Sequence, residues 1–292
     1  MNQIAILVKF KMRFQSIFVL LQIFFTVKNV NTDKVLVLCP MSSQSHRNVF
    51  QGIYSGLAEK GHQITVVTSG KPSHPMKNVE EILVFEEFDY FPTLSTLELR
   101  KGGVWAMLQQ DPSHHFKYCE RFYESEQVKE LLAQNFDIIL YDLIANQCVY
   151  GLMEKLGSTM IAVSTMAAPN PFTAPFGLRL PVSFVPDFLL PYPDEMSFLQ
   201  RTLKFLMRFV KDGMFGIYDA KIEAIYRKHL GEDRASVPVI QANASLLLVN
   251  SHLSFGSPRP TLPDIVEFGG AHCRPGKPLP NVGDSGELQP TD

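Results

Sequence analysis

A histidine and an aspartate, each close behind a short apolar run, are the residues of this chain whose types and placement could do chemistry. His46 follows the run "VLVLC" at 35–39 by way of the polar loop "PMSSQS", and Asp142 directly follows the apolar run at 138–141. Neutral imidazole is a base, and a neighbouring carboxylate fixes its tautomer and stabilises the imidazolium formed on proton transfer. Such a pair suits deprotonation of a hydroxyl group. The alternative is structural: His46 caps a helix or faces solvent, and Asp142 caps the next helix.

Strands and helices alternate along the chain around these two residues. Continuous apolar, β-branched runs predict buried strands, and apolar residues at helical spacing predict the helices between them. The predicted strands are 35–39, 64–67, 81–85, 138–141, 158–165 and 244–251, and the predicted helices are 49–61, 116–133, 147–156 and 196–230. Strands separated by helices form right-handed crossovers into a parallel sheet covered on both faces. The predicted fold class is therefore α/β, with a Rossmann-like parallel sheet.

The predicted fold brings the histidine and the aspartate to one edge of the sheet. In open parallel sheets, ligands bind beyond the carboxyl ends of the strands, where the strand order reverses. The first and fourth strands are neighbours there in the common doubly wound order, so we expect His46 and Asp142 to converge. A histidine in the first turn of a helix also feels the positive end of the helix dipole, which favours neutral imidazole.

Composition and missing motifs exclude several classes of protein. The chain of 292 residues is 46% hydrophobic with a formal net charge of -2, and it has no basic run interleaved with aromatic residues. These values are typical of a globular protein and not of a nucleic-acid binder. The first strand is followed by neither GxGxxG nor GxxxxGK[ST], and GxSxG and HExxH are absent too. We therefore expect no nucleic acid as partner, no cofactor and no metal site.

The cysteines and the other histidines are interpreted as structural. The four cysteines lie far apart without a CxxC pair, which gives no zinc or thioredoxin motif. We interpret them as buried free thiols, although a secretory protein could form disulfides and the spacing dictates no pairing. Surface positions are predicted for the histidines at 62, 74, 114 and 115.

The N-terminus is typical of a secretory signal peptide. Lys9, Lys11 and Arg13 precede the apolar run 16–27, which is too short for a comfortable membrane span. We predict a signal peptide and lead-in over 1–33, with an uncleaved signal anchor as the alternative. The sequon "NAS" at Asn243 is a candidate glycosylation site and fits a lumenal location.

Two later segments could contact apolar partners. Seven prolines between 169 and 193 predict a long, semi-rigid loop, and its Phe172 and Phe176 are candidates for binding an apolar acceptor. The alternative is that these rings only hold the loop to the core. In the stretch 198–211, basic and apolar residues recur at helical spacing, which predicts either a membrane-surface helix or an ordinary core helix with a solvated face.

The stretches "SSQSHRNVFQGIYSGLAEKGHQITVV", "FDIILYD" and "NASLLLVNSHLSFGSPRPTLPDIVEFGGAH" carry a family resemblance. Over about 34–280 the chain resembles the N-terminal half of the animal UDP-glycosyltransferases, whose members include the UDP-glucuronosyltransferases. The resemblance implies a GT-B fold with an acceptor-binding domain at 34–255 and an interdomain linker and tail at 256–292. It implies that His46 is the catalytic base and Asp142 its partner, in an inverting transfer that needs no metal and uses a UDP-sugar as co-substrate. It also implies a small lipophilic acceptor and attachment to the endoplasmic reticulum membrane.

The end of the chain departs from the family pattern. Family members continue past "PLP" at 278–280 into a donor-binding domain, whereas this chain diverges into "NVGDSGELQPTD". We therefore expect a truncated member that carries the acceptor half only. An alternative is a catalytically inactive acceptor-binding or regulatory form that associates with full-length relatives. A third hypothesis is an unrelated flavodoxin-like binding domain, which would bind flavin or a nucleotide.

Overall fold

The computed structural model describes residues 32–70, 74–86, 97–98, 101–102, 106, 111–187, 190, 192–271 and 273. The predicted signal peptide up to residue 31 and the predicted tail from residue 274 lie outside these ranges.

A parallel sheet forms the centre of the described part of the chain. Its seven strands follow the spatial order β3-β2-β1-β4-β5-β6-β7. The strands are β1 (Lys34–Leu38), β2 (Gln63–Ser69), β3 (Val79–Phe85), β4 (Ile138–Asp142), β5 (Thr159–Ser164), β6 (Leu246–Val249) and β7 (Ile265–Glu267). The predicted α/β fold class is thus confirmed, and the strand order reverses between β1 and β4, as expected for a doubly wound sheet.

Helices cover both faces of this sheet, which explains why the central strands are apolar at successive positions. The helices are α1 (Gln44–Glu59), α2 (Ser113–Glu124), α3 (Glu126–Leu131), α4 (Tyr150–Leu156), α5 (Asn170–Thr173), α6 (Phe198–Leu230) and α7 (Val237–Ala242). On one face, Val35 and Val37 of β1 pack with Phe50 and Tyr54 of α1. Leu36 and Leu38 belong to the larger cluster on the other face, which includes residues of α2, α4, α6 and α7.

Three boundaries differ from the prediction. The helix predicted at 116–133 is two helices, because Ser125 is extended and its side chain caps α3 by accepting from the Val128 N–H. The proline-rich segment includes the short helix α5, where proline is tolerated in the first turn. Finally, β7 lies inside the range 256–292 that we assigned to a linker and tail, and it pairs with β6. The sheet therefore continues past the predicted boundary at Phe255.

A disulfide joins Cys119 of α2 to Cys148, which lies in the 3-10 turn Gln147–Val149 before α4. The interpretation of these two cysteines as free thiols is therefore wrong, because their separation of 29 residues in sequence says nothing about their contact in space. The prediction that His115 lies on the surface is also wrong. This side chain is buried between α2 and α6, where its Nδ1 lies 3.4 Å from the Tyr218 hydroxyl.

In its N-terminal half, helix α6 turns two of its cations inward and most of its apolar residues outward, whereas Ile222, Ile225 and Tyr226 near its C-terminus are buried in the core. Ser197 and Gln200 form a capping box at its N-terminus. Lys204 and Lys211 are 4% and 8% exposed, and their ammonium groups contact the Val185 carbonyl and the Asp187 carboxylate. The exposed apolar residues of this helix are Phe198, Leu199, Leu203, Phe205, Leu206, Phe209, Val210, Met214 and Ile217. Within the described ranges, no helix has the length and apolar character needed to cross a membrane.

Candidate active site

The first and fourth strands deliver His46 and Asp142 to the same edge of the sheet. Strand β1 pairs in parallel with β4, with Leu38 opposite Tyr141, so both strands end at one level. Asp142 is the last residue of β4 and its side chain is fully buried. His46 lies in the first turn of α1, whose N-cap is Ser43, and its side chain is 15% exposed.

The two side chains are in direct contact. The distance between His46 Nδ1 and Asp142 Oδ2 is 2.7 Å. Because a carboxylate only accepts hydrogen bonds, this contact assigns the proton of the neutral ring to Nδ1 and leaves the lone pair on Nε2. The ring therefore has a basic nitrogen opposite the one that Asp142 holds.

A small polar network fixes the aspartate. Asp142 Oδ2 also accepts from the Ser42 hydroxyl at 2.5 Å, and Asp142 Oδ1 accepts from the Ile144 N–H at 3.1 Å. Asn146 connects the loops after β1 and β4, since its Nδ2 donates to Ser42 Oγ and its Oδ1 accepts from the Met41 N–H. With these contacts, both oxygen atoms of the buried Asp142 carboxylate have hydrogen-bond partners within the protein.

The sequence reasoning missed the two residues that hold this network together. Ser42 and Asn146 are 3% and 1% exposed although they are polar and lie in loops. Ala145, which precedes Asn146, has a φ of 64°, a left-handed conformation that costs about 1–2 kcal/mol outside glycine. The signal in the sequence is weak, because small polar residues after a strand are common and only the β1–β4 pairing brings these two together.

The carboxylate reverses the expected effect of the environment on His46. Burial of the ring lowers the pKa of His46, but the charge of Asp142 and its hydrogen bond raise it by more, so the pKa of His46 is raised above 6.5. The helix dipole alone would favour the neutral ring. Asp142 therefore makes the ring a stronger base than its place at a helix N-terminus would suggest.

A comparison with models of protein families shows to which family this chain belongs. The family model described as "UDP-glucoronosyl and UDP-glucosyl transferase" matches residues 33–286. The chain belongs to this family. Membership agrees with the described sheet as the N-terminal half of a GT-B fold.

Individual relatives in the UDP-glycosyltransferase family are distant in sequence. The chain is 27% identical over 261 residues to UDP-glucosyltransferase 2 of Dactylopius coccus, covering 86% of this chain and 50% of that protein. It is 26% identical over 300 residues to UDP-glucuronosyltransferase 2B17 of Homo sapiens, covering 92% of this chain and 54% of that protein. The chain thus spans about half the length of the curated relatives it matches.

Solved structures give a weaker likeness. One of them is the calicheamicin glycosyltransferase CalG4, with 16% identity and a TM-score of 0.40. The match covers 86% of this chain and 57% of the CalG4 chain.

The candidate acceptor residues of this UDP-glycosyltransferase family member lie between the loop after β5 and the core. Phe172 of α5 is buried, and its ring centroid lies 6.0 Å from that of Phe215 in α6. Phe176 is partly buried and packs against the same cluster. The rings therefore hold the loop to the core, the alternative that the sequence left open, and their contact with an acceptor stays a prediction.

Two other candidate sites lie away from the His46–Asp142 pair. Asn243 and Ser245 of the sequon are exposed just before β6 begins, at the edge of the sheet opposite to Asp142, and glycosylation there stays a prediction. Among the described residues, Glu120, Glu124 and His229 could together hold a metal ion. The Lys228 ammonium lies 3.0 Å from Glu120 Oε2 and opposes a cation there, so we assign no metal to this group.

Proposed function

We propose that this chain is the acceptor-binding half of a UDP-glycosyltransferase and that His46 is its catalytic base. The transfer moves a hexosyl group from a UDP-sugar to the hydroxyl of a small lipophilic acceptor. The observation that carries the proposal is the 2.7 Å contact between His46 Nδ1 and Asp142 Oδ2 at the carboxyl ends of β1 and β4. Family membership supports the reaction class.

In the proposed mechanism, His46 Nε2 takes the proton of the acceptor hydroxyl. The acceptor oxygen then forms a bond to the anomeric carbon of the sugar while the bond from that carbon to the UDP oxygen breaks, which inverts the configuration. UDP leaves with the bonding electron pair. Asp142 accepts the Nδ1–H throughout and stabilises the imidazolium. His46 is thus the catalytic residue, and Asp142 positions it.

The surroundings of the pair suit an apolar acceptor. The loop after β5 begins at the same edge of the sheet as Asp142, because β4 and β5 are parallel neighbours with Asp142 opposite Val163. Of the apolar side chains in this loop, Met166 is exposed, whereas Phe172 is buried and Phe176 is partly buried against the core. Apolar side chains next to one oriented polar group are the usual lining of small-molecule sites.

A chimera that joins this chain to the C-terminal half of a relative tests the assignment. His46→Ala removes the base and Asp142→Ala removes its partner, and each change should lower kcat by about 10²–10⁴-fold. The control is His62→Ala, because His62 follows the opposite end of α1. The measurement is release of UDP with an apolar phenol as acceptor.

Near-normal turnover in either the His46 or the Asp142 variant would contradict the proposed mechanism. If the chimera were inactive but the chain bound an apolar aglycone saturably, a non-catalytic acceptor-binding role would be favoured instead. Binding to a full-length relative, measured by co-purification, would support the regulatory form of that role.

We further propose that α6 lies against a membrane surface, in keeping with a location in the endoplasmic reticulum lumen. The observation that favours this contact is the exposed apolar face of α6, where Phe205, Leu206 and Phe209 are each about half exposed. An amphipathic helix with large apolar residues on one face binds the boundary between headgroups and acyl chains. Lys204 and Lys211 are used inside the protein, and Arg208 lies 3.7 Å from the Asp212 carboxylate. Arg201 is then the exposed cation of the stretch 198–211, so apolar burial supplies most of the binding free energy.

A further inference from the structure

A polar cavity lies between α1 and the strands β1, β2 and β3. Its volume is about 290 Å³, close to the lower end of the ~300–1,000 Å³ range of small-molecule sites. Most of its lining is polar and comes from the first three turns of α1, from the residue after β1, from β2 and β3, and from a loop residue. The lining residues are Cys39, Gln44, Arg47, Asn48, Gln51, Tyr54, Val66, Thr68, His74 and Glu81.

This cavity is distinct from the His46–Asp142 pair, although both use the start of α1. Neither His46 nor Asp142 lines it. Successive residues of an α-helix point about 100° apart. His46 reaches Asp142 at the end of β4, whereas the next residue, Arg47, donates to the Ser69 carbonyl at the end of β2. Because β1 lies between β2 and β4, the two sites are on opposite sides of β1.

The arginine at the cavity is held in a defined position. Its Nη1 donates to the Ser69 carbonyl and its Nη2 donates to Gln44 Oε1. Gly70 has a φ of 82°, and a Cβ atom at this position would lie 3.0 Å from the Arg47 Nη1 atom. The positive φ favours glycine here, and its missing side chain leaves room for the guanidinium against the backbone. The cavity therefore has an oriented donor group rather than a mobile surface cation.

The inner wall of the cavity has a buried hydroxyl group. Thr68 of β2 is 1% exposed, and its hydroxyl has the Cys39 thiol as a hydrogen-bond partner, which is a weak one. Cys39 lines the cavity beside it, and burial raises the pKa of the Cys39 thiol to about 12, so the thiol stays neutral. Because a thiol is a weak partner, the Thr68 hydroxyl keeps hydrogen-bonding capacity for a water or a ligand in the cavity.

The mixture of lining groups selects the chemistry of the ligand. The guanidinium of Arg47 only donates hydrogen bonds and the carboxylate of Glu81 only accepts them, while Gln44, Asn48 and Gln51 do both. An anion would be opposed by the carboxylate and a cation by the guanidinium. Gln44 is already paired with Arg47 and with Asn48 Oδ1. A hydroxyl group, which donates one hydrogen bond and accepts two, can pair with the remaining donors of Arg47, Asn48 and Gln51 and with the acceptors of Glu81 and Gln51.

We propose that this cavity binds a neutral polyhydroxylated molecule of about the size of a monosaccharide, at a site separate from the proposed transferase centre. The ligand class follows from the paired donors and acceptors around the cavity and from the buried Thr68 hydroxyl that faces it. The proposal does not depend on the base assignment of His46, since no residue of that pair takes part.

Binding of two free polyols to the purified full chain tests the proposal. D-glucose and myo-inositol are titrated by saturation-transfer NMR, with inorganic phosphate and glycine as charged and zwitterionic comparison probes. Thr68→Val removes the buried hydroxyl at constant shape, and Gln51→Phe fills the cavity. Thr65→Val is the matched control, because Thr65 lies on the same strand but does not line the cavity.

The expected result is saturable binding of at least one polyol that weakens at least tenfold in Thr68→Val and in Gln51→Phe and stays unchanged in Thr65→Val. Circular dichroism and thermal melting show whether each variant keeps the fold. Absence of saturable polyol binding to the wild-type chain would overturn the proposal. So would polyol binding that both cavity variants retain in the folded state, or a clear preference for phosphate or glycine.

Discussion

At the scale of single residues, the pKa of His46 determines the pH range in which the candidate base is unprotonated. Asp142 raises this pKa above 6.5 despite the burial of the ring. The imidazole is therefore protonated up to a higher pH than a free histidine would be, and the base is available only above that pH. For folding, the protonated pair stabilises the chain fully below about 6.5, and this contribution fades as the pH rises through the raised pKa of His46.

The pH dependence of the chimera should reflect this coupling. We expect kcat/KM to fall on the acid side with a midpoint above 6.5, and we expect Asp142→Asn to move that midpoint to lower pH, because the charge that raises the pKa of His46 is lost while the burial remains. A pH–rate profile of both proteins measures the shift, with Asp137→Asn as a control at the edge of the sheet opposite to the candidate site. An unchanged midpoint in Asp142→Asn would contradict the coupling.

The sequence was sufficient to predict the candidate base and its partner, but it was not sufficient to predict the residues that surround them. His46 and Asp142 could be identified because each follows an apolar run that is recognisable as a buried strand. Ser42 and Asn146 could not, because their contact depends on the β1–β4 register and on the left-handed turn at Ala145. Neither feature leaves a periodic pattern in the sequence.

At the scale of elements, the contact between α4 and α6 depends on one glycine. A Cβ atom at Gly151 would lie 2.6 Å from the Cβ and Cγ atoms of Tyr226. Tyr226 is fully buried and cannot move into solvent. The absence of a side chain at Gly151 therefore sets how closely these two helices approach.

Gly151→Ala should lower the free energy of unfolding by about 1–3 kcal/mol, because an overpacked core must shift its backbone or side chains. Gly56→Ala in α1 is the matched control, since no atom lies within 4 Å of its Cβ position. In that case alanine should stabilise the helix by about 0.5–1 kcal/mol. Thermal and urea denaturation of the full chain measure both changes, and equal effects at the two glycines would contradict the packing explanation.

Helix α6 shows that helical periodicity does not indicate which face of a helix is buried. The spacing of its cations and apolar residues was sufficient to predict a helix with two different faces. It could not show which face points inward, because Lys204 and Lys211 find their partners in the preceding loop, at Val185 and Asp187. The pairing of a buried lysine with a loop residue is a tertiary contact, which helical spacing does not encode.

At the scale of the whole molecule, the order of strands and helices could be predicted because six of the seven described strands read as continuous apolar runs. The seventh strand, Ile265–Glu267, has three residues and lies at the edge of the sheet, so composition alone reads it as a loop. The break between α2 and α3 at Ser125 could not be predicted either, because the apolar spacing continues from one helix into the next. The disulfide between Cys119 and Cys148 was missed because pairing depends on tertiary contact.

The proposed membrane contact predicts how the protein partitions between solution and lipid vesicles. The purified chain should sediment with neutral phosphatidylcholine vesicles as well as with anionic ones, and added salt should change binding by less than about twofold, because apolar burial rather than charge drives it. Leu206→Asp and Phe209→Asp should each weaken binding at least about tenfold, since burying one such side chain contributes about 1.5–3 kcal/mol.

Val239→Asp is the matched control for these variants, because Val239 is an equally exposed apolar residue on another helix, α7. Binding that vanishes in salt, or that needs anionic lipid, would contradict an apolar contact. Self-association of the chain without lipid, abolished by Leu206→Asp, would show that a second copy covers this face instead.

The adjacency of His46 and Arg47 at the start of α1 makes the length of the preceding loop decisive. A deletion of one residue between β1 and His46 would rotate the helix by about 100° relative to the sheet and bring the guanidinium toward Asp142. The aspartate would then form an ion pair with a group that does not release its proton near neutral pH. Natural or designed variants of this chain that keep both His46 and Asp142 should therefore retain the base only if the loop before α1 keeps its length.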